Sequence, residues 1–243
     1  MAAKQTTTAT THEANLTLDK TLHFWTKYNK LIIYIGVAVI AALAAFFAYN
    51  KFVKEPKEDK AAEMIFPAQS LFDKMANSDF SKDSVNILLN GGTLPDGSAV
   101  TGLLKIMNNY SGTESANLAT YMTGASYLQI KEFDKAIKYL KEFSSHGAKQ
   151  VESKANLMLG HAYAEKKNSG EALSYYKKAA SVNDKDETMA PTALMIAANY
   201  AESQNNTTEA ISLFKQVKDK YPTYQSVASG EIDKHLAKLG VLE

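Results

Sequence analysis

LGHAYAEKKNSGEALSYY, residues 159–176, is the stretch of sequence that decides the fold of this chain. It contains Leu159-Gly160-x-x-Tyr163 followed by Ala172-x-x-x-Tyr176. Small residues such as Gly160 and Ala172 let two helices approach closely, and large residues such as Tyr176 fill the space between neighbouring helices. The pattern therefore predicts two antiparallel helices joined by a short turn.

The same pattern occurs once before this stretch and once after it: Thr123-Gly124-x-x-Tyr127 with Ala136-x-x-x-Leu140, and Ile196-Ala197-x-x-Tyr200 with Ala210-x-x-x-Phe214. The Tyr of the first motif recurs after 36 and then 37 residues. This resembles the tetratricopeptide repeat, whose pattern is W-x2-L-G-x2-Y, A-x3-F and P with a period of about 34 residues. Pro222 follows the third copy, and the Trp position is occupied by Thr120, Asn156 and Ala193.

The repeats predict an all-α fold, a tetratricopeptide-like α-solenoid of helical hairpins with a C-terminal capping helix. The predicted repeats cover about residues 117–150, 153–186 and 190–223 within a domain of residues 113–243. Apolar residues between Tyr224 and Leu239 predict the helix that caps the open end, as solenoids require. A generic array of antiparallel helical hairpins remains an alternative.

An apolar run, LIIYIGVAVIAALAAFFAY, occupies Leu31 to Tyr49 without one charge. A helix of 19 residues spans roughly 28 Å, close to the hydrocarbon thickness of a bilayer. With lysines flanking both ends, the run predicts a single N-terminal transmembrane helix at residues 31–52. A buried core helix and a signal peptide cleaved near Ala42-Leu43-Ala44 are the alternatives. The lysines on the two sides are too evenly balanced to orient the helix.

The remaining segments lack a repeat. Residues 1–30 are polar and rich in Thr, which predicts a disordered N-terminal tail. Residues 53–112 predict a linker and the helical N-terminal part of the soluble domain. Within them NGGTLPDGS, residues 90–98, predicts a loop because it contains turn dipeptides. No Gly-Lys-Ser/Thr follows that loop, so it is not a phosphate-binding loop.

Composition excludes several kinds of chemistry. The chain has no Cys, all 27 of its basic residues are Lys, and its formal net charge is +1. The absence of Arg argues against binding to nucleic acid, because Arg contacts guanine edges and phosphates in bidentate fashion. The five His residues lack metal-site spacing, and no Gly-x-Ser-x-Gly is present. We therefore predict a protein that is not an enzyme and that uses no cofactor and no metal.

The repeat register also predicts a protein-binding groove on the first helix of each repeat. Tyr121, Leu157 and Leu194 share one offset in successive copies, and stacked repeats would align them in a row. The full predicted groove comprises Tyr121, Leu128, Lys154, Leu157, His161, Leu194 and Ala198. The competing interpretation is that some of these residues pack in the core.

About residues 20–240 of the chain are similar to a known family. A polar tail, one span, a helical pair and Tyr110-Ser111-Gly112-Thr113 lead into the first repeat, and FDKAIKYLKEFSS at 133–145 and EALSYYKKAA at 171–180 follow. Together they resemble the YfgM-like membrane-anchored tetratricopeptide proteins of bacterial envelopes. The resemblance implies an inner-membrane protein with its N-terminus in the cytoplasm and its repeats in the periplasm. Implied partners are translocon subunits of the Sec system, periplasmic folding factors or unfolded clients. A scaffold that tethers envelope complexes without binding clients is the alternative.

Overall fold

A computed structural model describes residues 6–241 of the chain, and its side chains from residue 24 onward. The chain divides into two compact units, residues 1–56 and 57–243, each of which is described by itself. In the first unit, helix α1 spans Thr6–Tyr49 and a π-helical turn covers Asn50–Lys54.

Helix α1 begins earlier than the sequence suggested. Residues 6–30 are helical, where we predicted a disordered tail over residues 1–30, and residues 1–5 lie outside the described residues. Once a helix has formed, each added residue gains one hydrogen bond for the two dihedral angles it fixes. A polar, Thr-rich segment can therefore extend a helix that an apolar run has already established.

The apolar run of residues 31–49 lies wholly within α1. Within the described residues, the helical stretch Phe24–Ala76 is the one that is long and apolar enough to cross a membrane, and none of its most apolar window is buried. That exposure argues against a core helix. By length and composition the run fits a membrane span or a signal sequence.

The second unit is built from α-helices, which follow one another along the chain as α2 (Glu55–Ala76), α3 (Lys82–Asn90), α4 (Leu103–Asn109), α5 (Glu114–Gln129), α6 (Phe133–Glu142), α7 (Lys149–Glu165), α8 (Ser169–Ser181), α9 (Met189–Ser203), α10 (Thr207–Lys220), α11 (Gln225–Ala228) and α12 (Glu231–Lys238). The pairs α5–α6, α7–α8 and α9–α10 are the three predicted hairpins, which confirms the all-α repeat fold. Two short helices, α11 and α12, occupy the position of the single predicted capping helix.

We call α5, α7 and α9 the first helices of the repeats, and α6, α8 and α10 the second helices. Their close approach depends on small residues at the predicted positions. Ala136, Ala172 and Ala210 on the second helices are completely buried. A Cβ on Gly124 would lie 2.7 Å from Cγ of Leu140, so α5 and α6 meet at a distance that only Gly permits at this point.

The turn between the two helices of each repeat has the same backbone conformation. Lys131, Lys167 and Asn205 are all left-handed, with φ of 64°, 58° and 59°. The amide that follows each of them donates to a carbonyl five residues earlier, at 2.9 Å in all three repeats. These are the bonds of a Schellman motif, which satisfies carbonyl groups at a helix C-terminus.

The loop predicted at residues 90–98 contains a small hairpin. Strand β1 (Gly92–Thr93) pairs antiparallel with β2 (Ala99–Val100). Gly97, at φ 85°, completes the turn, which the side chain of Asp96 supports by accepting from the amide of Ser98 at 2.9 Å. The hairpin joins α3 to α4, and so it is a connection within the helical N-terminal part of the domain.

Helix α2 is tied to the start of the first repeat. The Glu58 carboxylate accepts from the backbone amides of Glu114 at 2.6 Å and Ser115 at 3.0 Å, and from the Ser115 hydroxyl at 2.7 Å. Thr113 accepts from the next amide, that of Ala116, at 3.1 Å. Unpaired amides at a helix N-terminus favour negative charge, so Glu58 and Thr113 together cap α5.

Candidate protein-binding surface

Stacked tyrosines join the two helices of the first and second repeats. Tyr127 stacks on Tyr139 with ring centroids 5.6 Å apart and planes inclined by 12°. Tyr163 stacks on Tyr175 in the same way, at 5.4 Å and 10°. All four tyrosines are half-buried, so each pair remains partly exposed to solvent.

The third repeat lacks such a pair. Counting from the aligned Ala172 and Ala210, Leu213 occupies the position of Tyr175, and Leu213 is buried. Tyr200 instead contacts Tyr176 edge to face, with centroids 5.4 Å apart. The aromatic surface is therefore confined to the first two repeats.

Lysines on the second helices lie over these rings. The ammonium of Lys138 is 5.0 Å from the centroid of Tyr139, and that of Lys178 is 5.9 Å from Tyr175. Lys141 reaches across to the next repeat, 5.3 Å from Tyr163 and 5.8 Å from Tyr175. A hydrogen bond with Tyr163 raises the pKa of Lys141. Such cation–π contacts hold long side chains in defined positions.

Some lysines of the second helices pair with carboxylates, and others have no acidic partner among the described side chains. Lys177 pairs with Glu209 at 2.6 Å, and Lys218 pairs with Asp233 at 2.9 Å. In the part of the chain with described side chains, Lys138, Lys141 and Lys178 form no ion pair. Their positive charge is therefore available to a partner.

A cleft of about 530 Å³ separates α6 from α8 above α7, and we call it the first cleft. Lys141 and Lys178 line it together with Tyr175. Leu140 and Leu159, also in its lining, are almost wholly buried, and the surface that the cleft exposes is mostly polar. The first cleft thus combines two lysines and one acidic residue, Glu152, with leucines that expose little surface.

A second cleft, of about 660 Å³, occupies the equivalent place one repeat further on, between α8 and α10. Leu194 and Leu213 provide its apolar lining, and Lys178 lines it as well as the first cleft. At one end the Tyr221 hydroxyl donates to the carbonyl of Asp184 at 2.7 Å. The repeat spacing thus produces two successive clefts that share Lys178.

The structure buries part of the predicted row of Tyr121, Leu157 and Leu194. Leu194 is 4% exposed and Ala198 is completely buried, because α9 packs between α8 and α10 in the core. Leu157 is half-buried and packs against the same core. Tyr121 is half-buried and packs against Phe143 with centroids 5.2 Å apart.

The remaining predicted groove residues lie nearer the surface. Lys154 and His161 on α7 are exposed, and Leu128 at the end of α5 is half-buried. Nδ1 of His161 lies 3.0 Å from the hydroxyl of the buried Tyr176, and desolvation there lowers the pKa of His161. This His therefore supports the α7–α8 contact while its outer edge stays accessible.

The described residues contain no group of three or more His, Asp or Glu side chains that could hold a metal ion. The residues that distinguish the surface are instead the stacked tyrosines and the lysines above them. Sequence reasoning missed this arrangement. The signal was present, because Tyr139 and Tyr175 are separated by the same 36 residues as Tyr127 and Tyr163.

Two protein-family models match the repeat part of the chain. A family model described as a tetratricopeptide repeat-like domain matches residues 22–187. A second model, described as a tetratricopeptide repeat, matches residues 157–224 and so covers the second hairpin from the middle of α7 and all of the third hairpin. No match was found among curated proteins.

Proposed function

We propose that this chain, which belongs to the tetratricopeptide repeat-like domain family, is a membrane-anchored module that binds other proteins through the two clefts between its second helices. The observation that carries this proposal is the repetition of the cleft at the repeat spacing. Each cleft has two leucines in its lining and polar or charged residues around them. Binding surfaces for protein segments combine these two features.

The membrane part of the proposal rests on α1. Its apolar run has the length of a bilayer span and no buried residue in its most apolar window. The resemblance to YfgM-like proteins supports an inner-membrane location, with the N-terminus in the cytoplasm and the repeats in the periplasm. In that arrangement the clefts would face the periplasm.

For the cellular role we propose an accessory factor at the Sec translocon or in the periplasmic folding network. The resemblance supports this role, and candidate partners are translocon subunits, folding factors or unfolded clients. A scaffold that tethers envelope complexes is the second candidate. The two differ in what the clefts hold, since a client binder takes many unfolded chains weakly and a scaffold takes one folded partner stoichiometrically.

Affinity co-purification with a cleft-filling variant tests the binding surface. Ser174 is exposed on α8 and lines the second cleft, so Ser174→Trp should obstruct that cleft. Ser212 is its repeat equivalent on α10, is exposed and lies outside both clefts, which makes Ser212→Trp a matched control. After gentle solubilisation and mass spectrometry, Ser174→Trp should lose partners that the wild type and the control retain. Equal recovery from all three would exclude the second cleft as the binding surface.

Protease treatment of spheroplasts tests the topology. If the repeats face the periplasm, added protease should trim the protein to its anchor. Complete protection of residues 57–243, with degradation only after lysis, would place the repeats in the cytoplasm and remove the periplasmic role.

A further inference from the structure

We propose that the protein segment bound by this surface is acidic, and that Lys138, Lys141 and Lys178 bind its carboxylates. This inference rests on the proposed function and specifies the chemistry of the partner. A matching segment carries Asp or Glu residues on either side of an apolar side chain. The carboxylates meet the lysines and the apolar side chain enters the first cleft.

All three ammonium groups lie close to tyrosine rings. Each lies within 6 Å of a tyrosine centroid, at 5.0 Å for Lys138, 5.3 Å for Lys141 and 5.9 Å for Lys178. Within the described side chains none of them pairs with a carboxylate, whereas Lys177 and Lys218 do. Side chains that are already positioned lose less conformational entropy on binding, so these lysines are prepared for an anionic partner.

Positive charge is concentrated on the second helices of the repeats. The second helices α6, α8 and α10 carry eight lysines against five acidic residues. The first helices α5, α7 and α9 carry two lysines against four acidic residues. Charge complementarity therefore favours an anionic partner on the second helices and disfavours one on the first helices.

The shape of the first cleft bears on the kind of anion. Lys141 and Lys178 line it together with Leu140 and Leu159, and its one acidic residue, Glu152, accepts from the Ser145 hydroxyl at 2.9 Å. A side chain of a peptide can enter such a cleft, whereas the surface of an anionic bilayer is too broad to do so. Lys178 also lines the second cleft, so an extended segment can continue from one cleft into the next. These features favour a peptide over a lipid surface.

Peptide binding to the full chain tests the inference. The wild-type chain is reconstituted into nanodiscs of phosphatidylcholine, and its affinity for three fluorescein-labelled peptides is measured by anisotropy. The peptides alternate Leu with Glu, Lys or Ser. The Glu peptide should bind most tightly, and its affinity should fall as sodium chloride is added because salt screens exposed charges. Lys141→Gln combined with Lys178→Gln should weaken it about tenfold, the loss expected from two partly exposed ion pairs.

The control is a double variant with the same change of charge at lysines away from the clefts. Lys149 and Lys234 are exposed and line neither cleft, so Lys149→Gln with Lys234→Gln should leave the affinity within about twofold of wild type. An equal loss in both double variants would show that only net charge matters, and would overturn the inference. Circular dichroism of each variant confirms that the helices are intact.

The other outcomes separate this inference from the proposed function. If the Ser or Lys peptide binds as well as the Glu peptide, the surface binds proteins but does not select acidic segments, and the inference fails alone. If none of the three binds although Ser174→Trp loses partners in the co-purification, the inference fails alone; if that variant loses no partner either, both proposals fail. If no peptide binds but the amines of Lys141 and Lys178 become less reactive to acylation when phosphatidylglycerol is added to the nanodiscs, the lysines bind a lipid surface and the inference is overturned.

Discussion

The ring of Tyr176 lies directly against the backbone of Gly160. A Cβ built on Gly160 would be 2.4 Å from both Cδ1 and Cε1 of that ring, which is closer than carbon atoms approach without displacement. Tyr176 is 2% exposed and makes a further edge-to-face contact with Tyr200 of the third repeat, so its ring is held from both sides. Gly160 therefore fixes the separation of α7 and α8.

We predict that Gly160→Leu destabilises the repeat domain. The new side chain would overpack the contact with Tyr176, which costs about 1–3 kcal/mol or more. In a domain of this size each kcal/mol lowers the melting temperature by about 2–4 °C. Thermal unfolding of residues 57–243 measures the change. Gly170→Ala is the control, since a Cβ there meets nothing within 4 Å, and an unchanged melt for Gly160→Leu would contradict the observed contact.

Two buried hydroxyl groups on α5 lead to the opposite prediction. Thr123 and Ser126 are completely buried, and neither hydroxyl has a hydrogen-bond partner in the structure. A buried polar group without a partner is destabilising, so Ser126→Ala should raise the free energy of unfolding by about 1 kcal/mol. Ser153, whose hydroxyl donates to the carbonyl of Ala179 at 2.9 Å, provides the comparison. Chemical denaturation should show Ser153→Ala losing stability, and a loss for Ser126→Ala as well would imply that Ser126 has a partner.

The left-handed turns can be tested by exchanging the residue types at one position between two repeats. Lys167 at φ 58° and Asn205 at φ 59° occupy the same position, and Asn tolerates this conformation better than Lys does. We therefore expect Lys167→Asn to stabilise residues 57–243 by up to about 1 kcal/mol, and Asn205→Lys to destabilise them by a similar amount. Denaturant midpoints measured on both variants test the prediction, and changes of the same sign would refute it.

The capping helix α12 makes stability depend on pH through Glu202. This carboxylate accepts from Lys238 at 2.6 Å and lies 2.7 Å from Nδ1 of His235, and its side chain is 13% exposed. The hydrogen bond from Lys238, with a smaller contribution from His235, holds the pKa of Glu202 below its ordinary value of 4.5. A lowered folded-state pKa means that Glu202 contributes stability above pH 4.5, and that this contribution is lost as the pH falls through the folded-state value.

We accordingly predict that Glu202→Gln lowers the melting temperature of residues 57–243 at neutral pH. The difference from wild type should shrink as the pH is lowered below about 4.5, because the wild-type carboxylate then becomes protonated. Melting curves across this pH range measure the effect. Glu231→Gln, at an exposed position on α12, should show a difference that is small at every pH. If the difference in melting temperature between Glu202→Gln and wild type stayed constant with pH, the contribution of Glu202 to stability would not depend on its charge.

Contacts within a repeat could be predicted from sequence because they join residues that are close along the chain. Gly160 and Tyr176 are 16 positions apart, and the order of small and large residues carries the information about which side chains meet. The pairing of α5 with α6 through Gly124 and Leu140 was predictable for the same reason. The equal spacing of three copies then predicted the repeat fold.

Contacts between distant segments could not be predicted in this way. Glu58 caps α5 from 56 positions away, and no local sequence pattern around a single Glu predicts such a role. The burial of Leu194 could not be predicted for a related reason. Equal offsets give equal surroundings only when the neighbouring helices are alike, and α9 is covered by α8 and α10 through its many buried alanines.

The final prediction separates core from surface along the predicted groove. Leu194 is 4% exposed and lies in the core, so Leu194→Ser should cost about 2–5 kcal/mol through the lost packing and the cavity left behind. Leu157→Ser should cost less, because Leu157 is half-buried against the same core. Leu128→Ser should cost least, because Leu128 at the end of α5 packs against neither core cluster. In thermal melts of residues 57–243, the melting temperature should fall most for Leu194→Ser, less for Leu157→Ser and least for Leu128→Ser. If the double variant Leu157→Ser with Leu194→Ser melted like the wild type while the full chain carrying it lost its partners, the row would be an exposed groove, and the first helices would replace the second helices as the binding surface.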